Sequence, residues 1–230
     1  MGSLTLKVIR DLVILDCGVQ ANPQFPPVRV NKEINLAQYY VQMQLNGLGM
    51  KHWEKVGNGN VLMGSFAGTP CRLITVSSDL PDMLEMPGAI KYITTTGVGG
   101  VNGIGFEVDD RQFLKQILNT FSTPSLTEPI FCRVGGQIFA APNTISTIQF
   151  TYYKRVAPLT TDASLSEIPD EYEDFILARA EFQIKNKMGL IKDAVLESKA
   201  IDNAIAEAYN KYLGAIEQAH QKDSVRPKAE

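Results

Sequence analysis

The run Gly97-Val98-Gly99-Gly100-Val101-Asn102-Gly103-Ile104-Gly105 is the segment whose residue types most invite chemistry. Glycine amides can approach a pyrophosphate closely where a strand passes into a helix. The spacing does not follow through. After Gly97 and Gly99 the third glycine of a dinucleotide fingerprint belongs at position 102, which is Asn102, and no Lys-Ser or Lys-Thr pair completes a Walker loop. The residues favour a flexible hairpin tip, and a nucleotide-binding enzyme built on 97–105 is the remote alternative.

The other constellations are weaker. Ser65 lies between Gly64 and Gly68 at the wrong offset for a nucleophile elbow, and neither histidine, His52 or His220, sits where it would serve as a partner. Cys17, Cys71 and Cys132 are far apart and form no paired motif, so neither a disulfide framework nor a zinc site is expected. Asp109-Asp110 and Glu173-Asp174 read as helix-start charges rather than acid/base dyads. No catalytic group, cofactor or metal is expected. Tyr152-Tyr153-Lys154-Arg155 closes a strand with two aromatics and two cations, which could stack on a nucleic acid or anchor a neighbouring subunit. With 22 Lys+Arg against 25 Asp+Glu, a net charge of −3 and no second basic cluster, the protein interface is the favoured reading.

The elements that must position these residues change character along the chain. The 230 residues are 44% hydrophobic and 20% charged, enough for a folded core, with no segment that reads as a membrane span or a secretory signal. Up to about Glu167 the chain is rich in Gly and Pro; beyond it, charged and helical. A first helix is expected over 3–15 with Leu4, Val8, Leu12 and Leu15 inward, stopped by Gly18. A stiff proline connector, 19–30, leads to a second helix after Asn31 with Ile34, Ala37, Val41, Leu45 and Leu48 on one side. Strands are expected between Val61 and Thr96, a helix over 109–121, a hairpin turning at Gly135-Gly136, and a long strand from Ile145 to Val156 with Ile148, Phe150 and Tyr152 on its buried face. Helices resume near Pro169. The series Ile191, Ala194, Ser198, Ile201, Ile205, Ala208, Tyr212, Ala215 reads as a seam packed along another helix, within the chain or between protomers.

The expected fold is therefore α+β: a helical bundle with long C-terminal helices plus a small antiparallel sheet and hairpin region. The divisions are a helix pair over 1–58, a β-rich insertion over 59–166, C-terminal helices over 167–217 and an extended tail over 218–230.

The order of the second half carries a resemblance. A hairpin ending in Ile138-Phe139-Ala140-Ala141-Pro142 is followed by Ile148-Gln149-Phe150-Thr151-Tyr152-Tyr153-Lys154-Arg155. Pro158-Leu159-Thr160 and Ile168-Pro169-Asp170-Glu171-Tyr172 then lead into long helices. This resembles the head-to-tail connector proteins of tailed bacteriophages: portal adaptors, tail tubular A-like proteins and neck ring proteins. The resemblance implies a virion structural protein, assembled in the host cytoplasm, that forms a ring of twelve copies below the portal. It would contact an adjacent neck or tail ring protein and no membrane, and let genomic DNA pass through the channel without specific binding. It places the subunit interface at Tyr152, Tyr153, Lys154, Arg155, Pro158, Ile168 and Tyr172, and a portal-docking tail at Gln218, His220, Val225, Arg226, Pro227 and Lys228. A tail-tube or tail-completion subunit is the structural alternative.

Overall fold

The computed structural model describes residues 4–84, 89–97, 99–119 and 124–224. The chain is α+β and divides into a helical unit, Met1–Met50 with Val156–Glu230, and a β unit, Lys51–Arg155.

In the helical unit, α1 (Leu6–Cys17) is capped by Thr5, whose side chain accepts from the Val8 N–H, and ends at Gly18 in the left-handed region (φ 63°). Its buried stripe is Leu6, Ile9, Val13 and Cys17, whereas Val8, Leu12 and Leu15 are exposed. The expected inward face is thus corrected. Two apolar stripes compete on this helix, and the one that meets α2 (Pro27–Gly47) and α5 (Glu173–Lys187) is buried. α2 begins four residues ahead of Asn31 because Pro27 occupies the first turn, where a missing N–H costs nothing. Its Ile34, Ala37, Val41 and Leu45 are fully buried as expected, while Leu48 is exposed. A 3₁₀ turn (Asp170–Tyr172) leads into α5, and α6 (Ala194–Ser224) packs on α2 and α5.

The stretch 156–168 has no regular structure and is held as a strap by polar side chains of α2. Gln42 Oε1 accepts from the Val156 N–H at 3.0 Å, and Gln38 Nε2 donates to the Ala157 carbonyl at 2.9 Å. Asn35 accepts from the Leu159 N–H at 2.7 Å and donates to its carbonyl at 3.1 Å. Ser166 Oγ donates to Gln38 Oε1 at 2.8 Å. Gln38, Gln42 and Ser166 are buried, and these bonds satisfy strap groups that a strand ladder would otherwise serve. Composition alone assigns 156–166 to the β insertion; the helical unit claims it through these amides.

The β unit is larger than the small sheet expected from the sequence. Its strands are β1 (Glu54–Gly59), β2 (Leu62–Phe66), β3 (Thr69–Thr75), β4 (Ile90–Gly97), β5 (Asn102–Glu107), β6 (Ile130–Val134), β7 (Gln137–Ala141) and β8 (Ile145–Tyr153). They form one eight-stranded sheet in the order β1-β8-β4-β5-β6-β7-β3-β2, antiparallel except for β5–β6. Two short α-helices, α3 (Val76–Asp79) and α4 (Asp110–Leu118), complete the unit. Laid flat, eight strands would hold their edges about 34 Å apart. The edges β1 and β2 are instead joined through Asn60 and Val61 alone, a link that spans at most about 11 Å, so the sheet must curl. β1 lies inside the segment expected to belong to the helix pair: its two glycines and asparagine give little β-propensity, and pairing with β8 recruits it.

The hairpin forms as its residues require, with Gly135 at φ 58° between Val134 and its partner Gln137. α4 is capped by Asp109, whose carboxylate accepts from the Gln112 N–H at 2.7 Å. Its Phe113 is fully buried on Cys71, Ile130, Cys132 and Phe139. Phe121, expected on the same helix, lies outside the described residues.

Candidate assembly surface

The four strands β1, β8, β4 and β5 have one buried and one outward face. Ile93, Ile148, Phe150 and Tyr152 point inward. Cross-strand partners share a face, so the outward set follows from the register: Val56 opposite Thr151, Asn58 opposite Gln149, then Thr94 opposite Gln149 and Thr96 opposite Thr147, then Thr94 opposite Ile104 and Thr96 opposite Asn102. Tyr92 and Phe106 flank the last pairs. None of these is charged; the nearest charges are Glu128, exposed beside Thr94, Ile104 and Phe106, and the Glu54–Lys91 pair at the Tyr153 end. Val56, Tyr92, Ile104 and Phe106 are 57%, 47%, 56% and 61% exposed. Among them lie neutral hydrogen-bonding groups that pair with one another: Thr96 Oγ1 with Asn102 Oδ1 at 2.9 Å, and Gln149 with Asn58 at 3.3 Å. Large exposed aromatics with charges absent are the composition of an interface core.

This surface continues around one end of the strands. Gly97 pairs with Ile145 and Gly59 with Ile148, which puts the β1–β2, β4–β5 and β7–β8 connections at that same end. Asn60, Gly99, Gly100, Val101, Asn143 and Thr144 there are all exposed and uncharged. A cluster of charged groups lies at the opposite end, where the chain enters at Lys51 and leaves at Arg155. There Lys91 lies over the Tyr153 ring at 5.0 Å and pairs with Glu54. Asp82 takes the Tyr152 hydroxyl at 2.8 Å and Lys55 Nζ at 2.6 Å. Burial pushes the Asp82 carboxyl up, but the hydrogen bonds from Lys55 and Tyr152 outweigh it and hold its pKa below the usual range. Burial, then the bond to Asp82, lifts Tyr152 to about 12, so its hydroxyl stays a donor.

The signal for this surface is in the chain as intervals without charge. No Asp, Glu, Lys or Arg occurs between Lys55 and Arg72, between Lys91 and Glu107, or between Arg133 and Lys154. Only the strand pairing reveals that these intervals share one face.

The residues expected at a subunit interface fall elsewhere. Tyr152 and Tyr153 in the β unit, and Ile168 and Tyr172 in the helical unit, are 2%, 4%, 0% and 1% exposed. The chain itself encloses them, which corrects their reading as contact residues. Arg155 and Pro158 are exposed and Lys154 half-buried. The glycine run is also settled by geometry. It forms the end of β4, a tip with Gly99 and Gly100 at positive φ, and β5, rather than a loop opening a helix. Gly103 is required because a Cβ there would lie 2.1 Å from the Leu126 carbonyl oxygen. The helix that comes next, α4, starts with Asp109 and Asp110, which would repel a phosphate. Among the described residues no group of His, Cys, Asp and Glu is placed to hold a metal ion.

In the helical unit the notable element is α6, 31 residues and about 46 Å long. Its first half is fastened by Arg179 of α5. That guanidinium lies 3.6 Å from the Tyr40 ring centre and 4.8 Å from that of Phe182, and donates to Ser198 Oγ at 2.8 Å. The Tyr40 hydroxyl also bonds Asp202. Of the expected seam only Ile205 is fully buried, joined by Tyr209; Tyr212 and Ala215 are exposed. Past Tyr209 the helix carries exposed Tyr212 and Leu213 and continues through Ser224. The expected extended tail is therefore helical from 218 to 224, including Gln218 and His220, because no proline or glycine interrupts that stretch. Val225, Arg226, Pro227 and Lys228 lie outside the described residues. No described helix is long and apolar enough to cross a membrane.

A family model described as SU10 adaptor protein matches residues 5–228, both units included. No curated protein matches the chain.

Proposed function

We propose, from the premise that this chain belongs to the SU10 adaptor protein family of phage structural proteins, that it assembles into a ring below the portal and joins the capsid vertex to the tail around the DNA channel. The family match over nearly the whole chain carries this reading. The role of a structural adaptor in the virion needs partners rather than turnover, and the β unit offers a broad neutral surface with exposed aromatics for them. Identical subunits joined head to tail close into a ring when their rotation fits; the resemblance gives twelve copies. The second half of α6 with the residues beyond it, from Gln218 to Lys228, is the segment proposed to dock on the portal. Tyr212 and Leu213, exposed on this helix, support that role. Lys154, Arg155 and Pro158 stay as candidate contacts at the subunit surface. A net charge of −3 gives DNA no general hold, so the genome is expected to slide past.

The test is co-assembly of the purified full chain with portal, followed by negative-stain imaging and native mass spectrometry. A ring seated on portal is expected, lost on deletion of 218–230. A chain that stays monomeric and indifferent to portal would overturn the proposal. Rings that bind portal equally well without 218–230 would overturn the docking role and favour a more distal tail component.

A further inference from the structure

We infer that the outward face of β1-β8-β4-β5 receives the uncharged strand connections of the next copy of this chain; the inference rests on the ring reading above. Across the middle of this face a partner's charge would be buried with nothing to pair with, a cost of several kcal/mol per ion; the charges stand at its margins, Glu128 exposed beside Thr94, Ile104 and Phe106, and the Glu54–Lys91 pair near Tyr153. Glu128 repels nucleic-acid phosphates, and the middle of the face requires an occupant as neutral as itself. The chain supplies such an occupant. At the far end of the same strands the three connections expose Asn60, Gly99, Val101, Asn143 and Thr144, without a charge among them. A face meeting another face would be a two-fold contact and stop at two copies. A face meeting an end is head-to-tail, leaves one of each unsatisfied, and so propagates until it closes. The neutral hydrogen-bonding groups Thr94, Asn102 and Gln149 give register, and Tyr92, Ile104 and Phe106 give the apolar area.

Two variants of the full chain test this by sedimentation velocity and native mass spectrometry: a face variant, Ile104→Asp with Thr147→Asp, and an end variant, Val101→Asp with Asn143→Asp. All four positions are exposed, so each variant is expected to melt within a few degrees of the parent. Thr147→Asp alone carries the same expectation should the pair loosen the sheet. The parent is expected to form assemblies larger than dimers that change less than about twofold between low and high salt, since the contact rests on uncharged groups with charges only at its margins. Each variant alone is expected to be monomeric, and their mixture to form a one-to-one pair that grows no further. An end variant that assembles like the parent, a mixture that stays monomeric, or assembly that dissolves in salt would overturn this contact while leaving the ring reading in place. A parent chain that never associates, alone or on portal, would overturn both.

Discussion

Single side chains in this protein do structural work that can be measured one at a time. Arg179 lies against two rings and holds Ser198, so it fastens α6 to its neighbours. Arg179→Ala is expected to destabilise the helical unit by about 2 kcal/mol, the sum of a partly desolvated cation–π contact and a charged hydrogen bond. Hydrogen exchange should show the loss concentrated in α6. Burial lifts the Cys132 thiol to about 12 and Cys17 to about 11, and raises Cys71 as well. Thiolate is the reactive form, so Ellman's reagent at pH 8 is expected to label none of the three until the chain unfolds, at the rate of unfolding. Asp82 titrates below the ordinary carboxylate range, so what it contributes is complete above the unfolded pKa of about 4 and is lost as pH falls through its lower folded value. Asp82→Asn should therefore lower the melting temperature at pH 7, with the gap to the parent closing below pH 4. A gap that persisted at pH 2 would count against that ion pair.

At the scale of elements, close approach of backbones sets the tolerance to change. The 126–129 segment runs against β5 at Gly103 so tightly that a Cβ would meet backbone, which cannot rotate away. Gly103→Ala is expected to cost more than 2 kcal/mol in chemical denaturation, whereas the same exchange at Gly136, where a Cβ meets nothing, should cost less than 1. Elements with purely local causes were legible from the residues. The Gly135-Gly136 turn, the Asp109 cap and strand β8 are of this kind. Elements decided by partners were not. α1 carries two apolar stripes of helical spacing, and only the packing of α2 and α5 selects Leu6-Ile9-Val13-Cys17. Thr151 and Tyr153 read as the open face of β8 yet are 6% and 4% exposed, with Lys91 laid over the Tyr153 ring. β1 has almost no strand signal of its own. The neutral face was written in the chain as three intervals without charge, but its residues come from segments tens of positions apart, and no periodicity announces that they pair.

For the whole molecule, the SU10 adaptor family places the chain among phage structural proteins, and the eight-stranded sheet of its β unit offers the surface proposed to meet other copies. One cluster of charges stands where the β unit is entered and left, and the outward face is neutral across its middle with Glu128 at its β5 margin. The proposed contact therefore rests on shape and apolar area more than on ion pairs, and is expected to depend little on salt. The account is tested most directly by a reconstruction of the neck of intact phage particles at a resolution that traces strands. It predicts a closed ring of this chain at the head–tail junction, with the β1-β8-β4-β5 face of each copy covered by its neighbour. Particles whose necks lack the chain, or hold it as isolated copies with that face open to solvent, would contradict it.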